Sequence, residues 1–424
     1  MITIGLDFGT HQTKICIEDK EGVELNYTFM KFEDTYHRQF YTLPSIIGVG
    51  KDGLLSYGYL PRKYDGRIIR YFKQSTFRPT SAGMSQVNAM YFSTWYIAYI
   101  LFDLEKMYGM EFTIQMGAPT DSSHVNVVKA IATRIIASAY KLVEDVFAND
   151  KEKFLATPMK ELVDMTELVP YSEEIKDEYG LLVFPEAYAC LKPLISQGKL
   201  SRGMSLMIDI GGGTTDISFF TIEGHKPQVY DFYSINKGLN FLTDANENSH
   251  NGTTVNIQDP SEINQGRKNV LINEIQQICS NLWYKLVHEF KEQTELEIYR
   301  LSDALKNRPL VYCGGGSTFK NLRVCYEGYK DMKLISYKEW NFRSIKDIEE
   351  IIDDGLCPIL STAYGLAISV ENDKISMKPF RDIFEKMRDS EEENAHKKKS
   401  EYNSTYRTFG RGGFSYTDDY DAMK

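Results

Sequence analysis

The chain has 424 residues and 42% hydrophobic content, enough to bury two cores, so two lobes are the natural expectation for this length. Its formal charge of −10 argues against a nucleic-acid partner bound over a broad face, because neutralising phosphates needs a basic stripe. The six cysteines, Cys16, Cys190, Cys279, Cys313, Cys325 and Cys357, are scattered without CxxC pairs and read as reduced core residues rather than disulfides or zinc ligands.

The first predicted element is a strand carried by the alternation of Ile2, Ile4 and Leu6, and Thr13–Ile17 reads as a second strand returning antiparallel. Between them lies Asp7-Phe8-Gly9-Thr10. Glycine lets a backbone approach an anion with no Cβ in the way, and turn N–H groups form a concave donor site for phosphate oxygens. Asp7 carries the wrong charge to meet phosphate, so its expected job is a magnesium ion or that ion's water shell. Standing alone, Asp-Phe-Gly-Thr is equally a plain hairpin turn.

Downstream come Leu43-Pro-Ser-Ile-Ile47, Tyr57-Gly58 and Ile69-Arg-Tyr-Phe-Lys73, the last in a basic stretch with Arg62, Lys63, Arg67, Arg70 and Arg78. A solvated basic face is the bland reading of that stretch. Apolar residues at helical spacing predict long helices over 91–106 and 124–147, with Met116-Gly-Ala-Pro-Thr120 between them. Val183-Phe-Pro-Glu-Ala-Tyr-Ala189 follows, and then a louder copy of the first device. Leu206-Met-Ile208 leads into Asp209, Gly211-Gly212-Gly213, Thr214 and Thr215, and Ile217–Phe220 leaves as a strand. Two copies of one design suggest a phosphate tail gripped from two sides.

The run 236–259 is polar, with Asn251-Gly252, and predicts an exposed loop; 264–290 predicts another long helix. Pro309–Cys313 is a β-like run ending at Gly314-Gly315-Gly316-Ser317, with a helix expected from Thr318 onward. Strand, glycines and a helix N-terminus together favour a nucleotide. The Walker A and dinucleotide glycine rhythms are both missing. Beyond residue 372, Phe380–Met387 is amphipathic, 388–400 is a run of both charges, and 401–424 is glycine, aromatic and acidic without period, which predicts disorder.

The order of these segments resembles the actin/Hsp70/sugar-kinase superfamily of ATPases. By that resemblance Asp7–Thr10 is the first phosphate loop, Asp209–Asp216 the second and Gly314–Ser317 the adenosine loop. Val183–Ala189 is similar to the first connecting helix, whose glutamate, here Glu186, orients attacking water. Ser361-Thr-Ala-Tyr-Gly-Leu-Ala367 resembles the second connecting helix, where small residues let two helices pack closely. The implied fold is α/β and two-lobed, each lobe an RNase H-like mixed sheet flanked by helices. Lobe I would span 1–188 rejoined by 357–372, and lobe II 189–356. A charged helix over 373–400 and a disordered tail over 401–424 would follow.

Within the superfamily the Hsp70 branch looks closest, with Lys73 in the place of a lysine reaching the γ-phosphate. Lys237-Gly-Leu-Asn240 stands where Hsp70 proteins read Gly-Gly-x-Asp, a departure from the pattern, and no substrate-binding domain follows the second connecting helix. The resemblance implies ATP or ADP between the turn at Gly9-Thr10 and that at Gly212–Thr214, with Asp7 and Asp209 holding Mg2+ through water. Glu186 would act as a weak base, and lobe closure would follow the γ-phosphate. It also places a helix of lobe II, with Glu274, Gln277 and Ser280, near the base.

The main functional expectation is an Hsp70-like ATPase switch controlling a partner protein. The alternatives are an actin-like filament-forming ATPase, a small-molecule kinase of the sugar-kinase branch, and a nucleotide-binding protein without catalysis. Neither a signal segment nor an apolar run of membrane-spanning length is visible, so the expected location is the cytoplasm, with no membrane partner.

Overall fold

A computed structural model describes residues 1–424 except 23, 78–83, 110, 120–124, 170–178, 201–202, 224–225, 243–262, 295, 338–341, 343–347, 349–351, 369–381, 383 and 385–424. The expected exposed loop lies outside the described residues from 243 onward. So do the charged helix, apart from Asp382 and Phe384, and the disordered tail.

The alternation at the N-terminus becomes strand β1 (Ile2–Phe8), which pairs antiparallel with β2 (Gln12–Glu21), itself antiparallel to β3 (Glu24–Phe29). On the other edge of β1 run two parallel strands, β4 (Phe112–Ala118) and β5 (Leu181–Pro185). The sheet therefore reads β3-β2-β1-β4-β5, with Leu43–Pro44 adding a short pairing to β2.

The second sheet repeats this order. Strands β6 (Ser205–Ile210), β7 (Thr215–Glu223) and β8 (Lys226–Ile235) form the antiparallel half, and β9 (Pro309–Cys313) and β10 (Lys333–Ser336) run parallel beside β6, giving β8-β7-β6-β9-β10. Each lobe thus has a hairpin whose first strand sits mid-sheet, so its turn opens at the carboxyl ends of the parallel strands. This is the place where open α/β sheets bind ligands.

Helices cover the sheets. Short α1 (Phe72–Phe77), α2 (Gln86–Tyr108) and α3 (Val125–Lys141) enclose the first. Ser85 caps α2 by accepting the Asn88 N–H at 3.2 Å, and Gly109, at φ 65°, ends it. The helix expected through 147 leaves α geometry at Leu142–Val146, a π-helical turn that buries Leu142 and Val143. In the second lobe α5 (Leu239–Leu242) precedes the long α6 (Gln265–Gln293), whose cap is Asn264, and α7 (Ile298–Leu305) follows.

One sequence expectation is corrected at Thr318, where no α-helix begins. Gly315–Thr318 and Lys320–Leu322 are separate 3-10 turns. The Ser317 hydroxyl donates to the Gly314 carbonyl at 2.8 Å and that of Thr318 to Gly315 at 2.7 Å. Such short back-bonds compete with the α-helical ladder.

Two connecting helices lie between the sheets: α4 (Glu186–Ser196) and α8 (Cys357–Ala367). They share one buried cluster with β3 residues Tyr27 and Phe29 and with Phe220, Phe232 and Val311 of the second sheet. A Cβ on Gly365 would lie 1.8 Å from the Ala189 carbonyl oxygen, and one on Gly5 would lie 2.3 Å from that of Ala363. Only glycine permits these backbone approaches, between α8 and α4 and between α8 and β1. Five cysteines are buried, Cys325 is partly so, and none of the six is in a disulfide.

Candidate functional site

The first turn is built from β1 and β2. Their register sets Asp7 opposite Lys14, and Lys14 Nζ donates to Asp7 Oδ2 at 2.8 Å. The Gly9 N–H donates to the Asp7 carbonyl at 3.0 Å, and the Ser45 hydroxyl to the Gly9 carbonyl at 2.7 Å. A Cβ on Gly9 would meet the Gln12 carbonyl oxygen at 2.2 Å, so a side chain there would break the turn.

The second turn is closed by the Gly211 N–H donating to the Thr214 carbonyl at 2.9 Å. Backbone N–H groups of Leu239 and Asn240 donate to the carbonyls of Gly211 and Gly212, each at 2.9 Å. The ladder sets Asp209 opposite Asp216 and beside Cys313. Gly314, at φ 70°, makes room for Asp209, since a Cβ there would fall 2.2 Å from Oδ1.

The two turns touch. A Cβ on Gly213 would lie 2.7 Å from Thr10 Cγ2, and Gln74 Nε2 donates to the Gly213 carbonyl at 3.3 Å. Between them, Glu186 begins α4 directly after β5, its side chain lying over Gly117 of β4. Lys73, on α1, forms an ion pair with Glu186. Thus the cation and the carboxylate singled out from distant sequence segments are each other's partner.

These groups line one cleft of about 1100 Å³. Of the residues expected from sequence, Asp7, Gly9, Thr10, Lys73, Glu186, Asp209, Gly211, Gly212, Gly213, Thr214, Gly314 and Gly315 face it. Thr215, Gly316 and Ser317 stand behind its wall. The Thr215 hydroxyl donates to the Lys237 carbonyl at 2.8 Å, Gly316 packs on Ile210, and Ser317 is bonded within its own turn. Helix α6 does not contribute to the lining, and Glu274 instead accepts from Lys237 Nζ at 2.6 Å. That side of the cleft is made by 318–321 and 353–359.

Sequence reasoning passed over Lys14 and His11, and it met Asp216 only as the end of the second loop and Asn240 only as a departure from the Hsp70 pattern; all four line the cleft. For Lys14 a signal existed, a cation inside an otherwise apolar strand and in register with Asp7. His11 carried none, and its meeting with Asn240 depends on how the lobes come together.

The electrostatics are those of crowded acids. Burial, then repulsion from Asp216, Glu186 and Asp7, pushes the Asp209 carboxyl up to about 8, with Lys14 pulling the other way. Burial raises Glu186, opposed by Lys73. His11 is held down at about 4 by burial and by the positive charges of Arg70 and Lys14. Among the described residues no group of three or more His, Cys, Asp or Glu side chains stands close enough to form a direct metal shell.

No protein-family profile and no curated protein sequence matches the chain. Several solved structures are similar. MreB5 of Spiroplasma citri bound to AMPPNP is 15% identical, with 93% of this chain and 98% of that one covered and a TM-score of 0.42. A non-polymerising MamK mutant bound to AMPPNP is also 15% identical, with coverages of 86% and 97% and a TM-score of 0.40. An archaeal actin homologue in complex with ADP is 14% identical, with coverages of 87% and 98% and a TM-score of 0.39. The chain itself has an α/β fold of two lobes with one strand order, joined by paired helices and facing each other across a cleft.

Proposed function

We propose that the protein binds a magnesium–nucleoside triphosphate, ATP by expectation, in the cleft between its lobes and hydrolyses it slowly. The observation that carries this reading is the convergence of two Asp-to-glycine turns, one from each sheet, on the paired Lys73 and Glu186. Phosphoryl transfer asks for positioning and charge neutralisation rather than covalent chemistry, and those are the parts present.

Backbone N–H groups near Gly9-Thr10 and Gly212–Thr214 would bind phosphate oxygens, and Thr10 would bring a hydroxyl to the terminal phosphate. Magnesium, held through water by Asp7 and Asp209, would neutralise phosphate charge. Lys14 on β2 and Lys73 on α1 supply positive charge to the cleft. A phosphate drawing on Lys73 leaves Glu186 free to accept from a water, and its raised proton affinity suits a weak base.

Calorimetry with magnesium-ATP tests binding; the reading fails if no heat is registered. In an ATPase assay Glu186→Gln should keep binding and lose turnover, by about 10²–10⁴-fold, the range of general acid–base catalysis. Equal turnover in that variant removes Glu186 from the mechanism.

The nucleotide state would act through lobe closure, and either of two outputs fits it. The similar solved proteins include MreB5, MamK and an archaeal actin homologue, so nucleotide-dependent self-association is tested first, by pelleting and light scattering. The Hsp70-like output, a switch for a separate partner, is the reading that follows if particles stay monomeric while lobe closure still tracks ATP.

A further inference from the structure

His11 belongs to neither glycine turn's phosphate-facing backbone, yet it sits where the lobes meet. Its backbone is fixed to lobe I, since the Ser45 N–H donates to the His11 carbonyl at 3.0 Å. Its ring reaches across to lobe II and lies on Gly212, where a Cβ would stand 2.6 Å from His11 Cβ and 3.2 Å from Cγ. Any side chain at 212 would expel the ring.

The Asn240 side-chain Nδ2 is 3.1 Å from His11 Nδ1. An amide NH₂ can only donate, so Nδ1 is the acceptor and the imidazole proton lies on Nε2. Asn240 is itself tied to the second turn, its backbone N–H donating to the Gly212 carbonyl at 2.9 Å. One lobe I side chain is therefore clasped by two linked pieces of lobe II.

The other ring nitrogen is in the opposite condition. Nε2 is buried and has no hydrogen-bond partner. A buried N–H without an acceptor carries its full desolvation penalty, and parting the turns would return it to water. Attraction at Nδ1 and penalty at Nε2 make a contact that holds the turns together without locking them.

We propose that His11 is a positioning residue: its contact with Asn240 latches the first turn to the second, and release of that latch sets how fast nucleotide leaves the cleft. This rests on the proposed nucleotide function. Phosphates held between two turns can leave only when the turns part, so the latch acts on egress and not on the hydrolytic groups.

The test uses the full chain loaded with fluorescent ADP and chased with unlabelled nucleotide. His11→Leu and Asn240→Leu should each speed release by roughly two- to tenfold, the range one net hydrogen bond supports. Single-turnover hydrolysis of ATP already bound should stay within about twofold of wild type on the same reasoning. The double variant should release no faster than either single one, because both remove one contact. His11→Gln, whose amide oxygen can accept from Asn240, should restore slow release.

Unchanged release in both single variants, multiplying effects in the double one, or hydrolysis falling as far as release rises would each overturn the latch. Imidazole ¹⁵N shifts of the nucleotide-free chain separate this from failure of the functional reading. An Nε2–H tautomer that is lost in Asn240→Leu supports the contact even if calorimetry finds no nucleotide binding, and a tautomer indifferent to Asn240 sinks it.

Discussion

At the scale of single residues the cleft is a place where local stability is given up. Asp209 titrates near 8, far above an ordinary carboxylate, so the folded state disfavours its charged form at neutral pH. Asparagine mimics the protonated group. Asp209→Asn is therefore expected to raise the melting temperature of the nucleotide-free protein at pH 8, by about 1 °C for each kcal/mol relieved in a chain of this length, while turnover falls. A lowered melting temperature would mean that the acid cluster is not strained. His11 works in the other direction. Its folded-state value of about 4 lies below the usual 6.5, so the unfolded chain binds the extra proton and stability drops as pH falls from 6.5 to 4, then levels. Lys14 and Arg70 both oppose charging the ring. Thermal scans from pH 7 to pH 4.5 should show wild type losing more than His11→Gln; parallel curves would refute this. Asp7 and Asp209 were legible because turn chemistry announces them and Glu186 through the family resemblance alone, but the Lys73–Glu186 pair spans 113 positions and no local rule links them.

At the scale of elements, spacing found the strands and long helices because burial imposes period 2 and period 3.6 directly. It missed the 3-10 turns after Gly314, where hydroxyls bond back to nearby carbonyls, and the π turn after Lys141, which keeps Leu142 and Val143 buried. The small residues of α8 were readable as a close crossing, and Gly365 is where the crossing occurs. Gly365→Ala puts a methyl 1.8 Å from a backbone oxygen, which no rotamer can relieve. Overpacking of this kind costs about 1–3 kcal/mol, and it should appear as a lower denaturant midpoint. Gly266→Ala, inside α6, is the control for lost glycine, since it has ordinary helical backbone and its Cβ would meet only Asn264 Oδ1, at 3.3 Å. If Gly365→Ala loses no more than the control, the helices are not in backbone contact.

For the whole molecule, two related lobes were expected from the resemblance that the motifs carry, with no repeat visible in the sequence, because topology persists where side chains diverge. How the lobes meet was not readable, since Gly213 against Thr10 and His11 against Gly212 are contacts between distant segments. A ligand that binds only the assembled cleft stabilises by mass action, about 2.7 kcal/mol at a hundredfold excess over its dissociation constant. The melting temperature should accordingly climb with magnesium-ATP concentration and hydrogen exchange should slow in both turns at once. Protection confined to one turn would mean that the halves do not act as a unit.

The meeting of Gly365 with Ala189 has a mechanical consequence. Two rods touching backbone to backbone between the sheets have almost no slack for sliding, so swivelling about their crossing is the motion left cheap. A few degrees of swivel at such a pivot become ångströms at the distant rim, and a single missing methyl group thereby fixes the direction in which the jaws can travel.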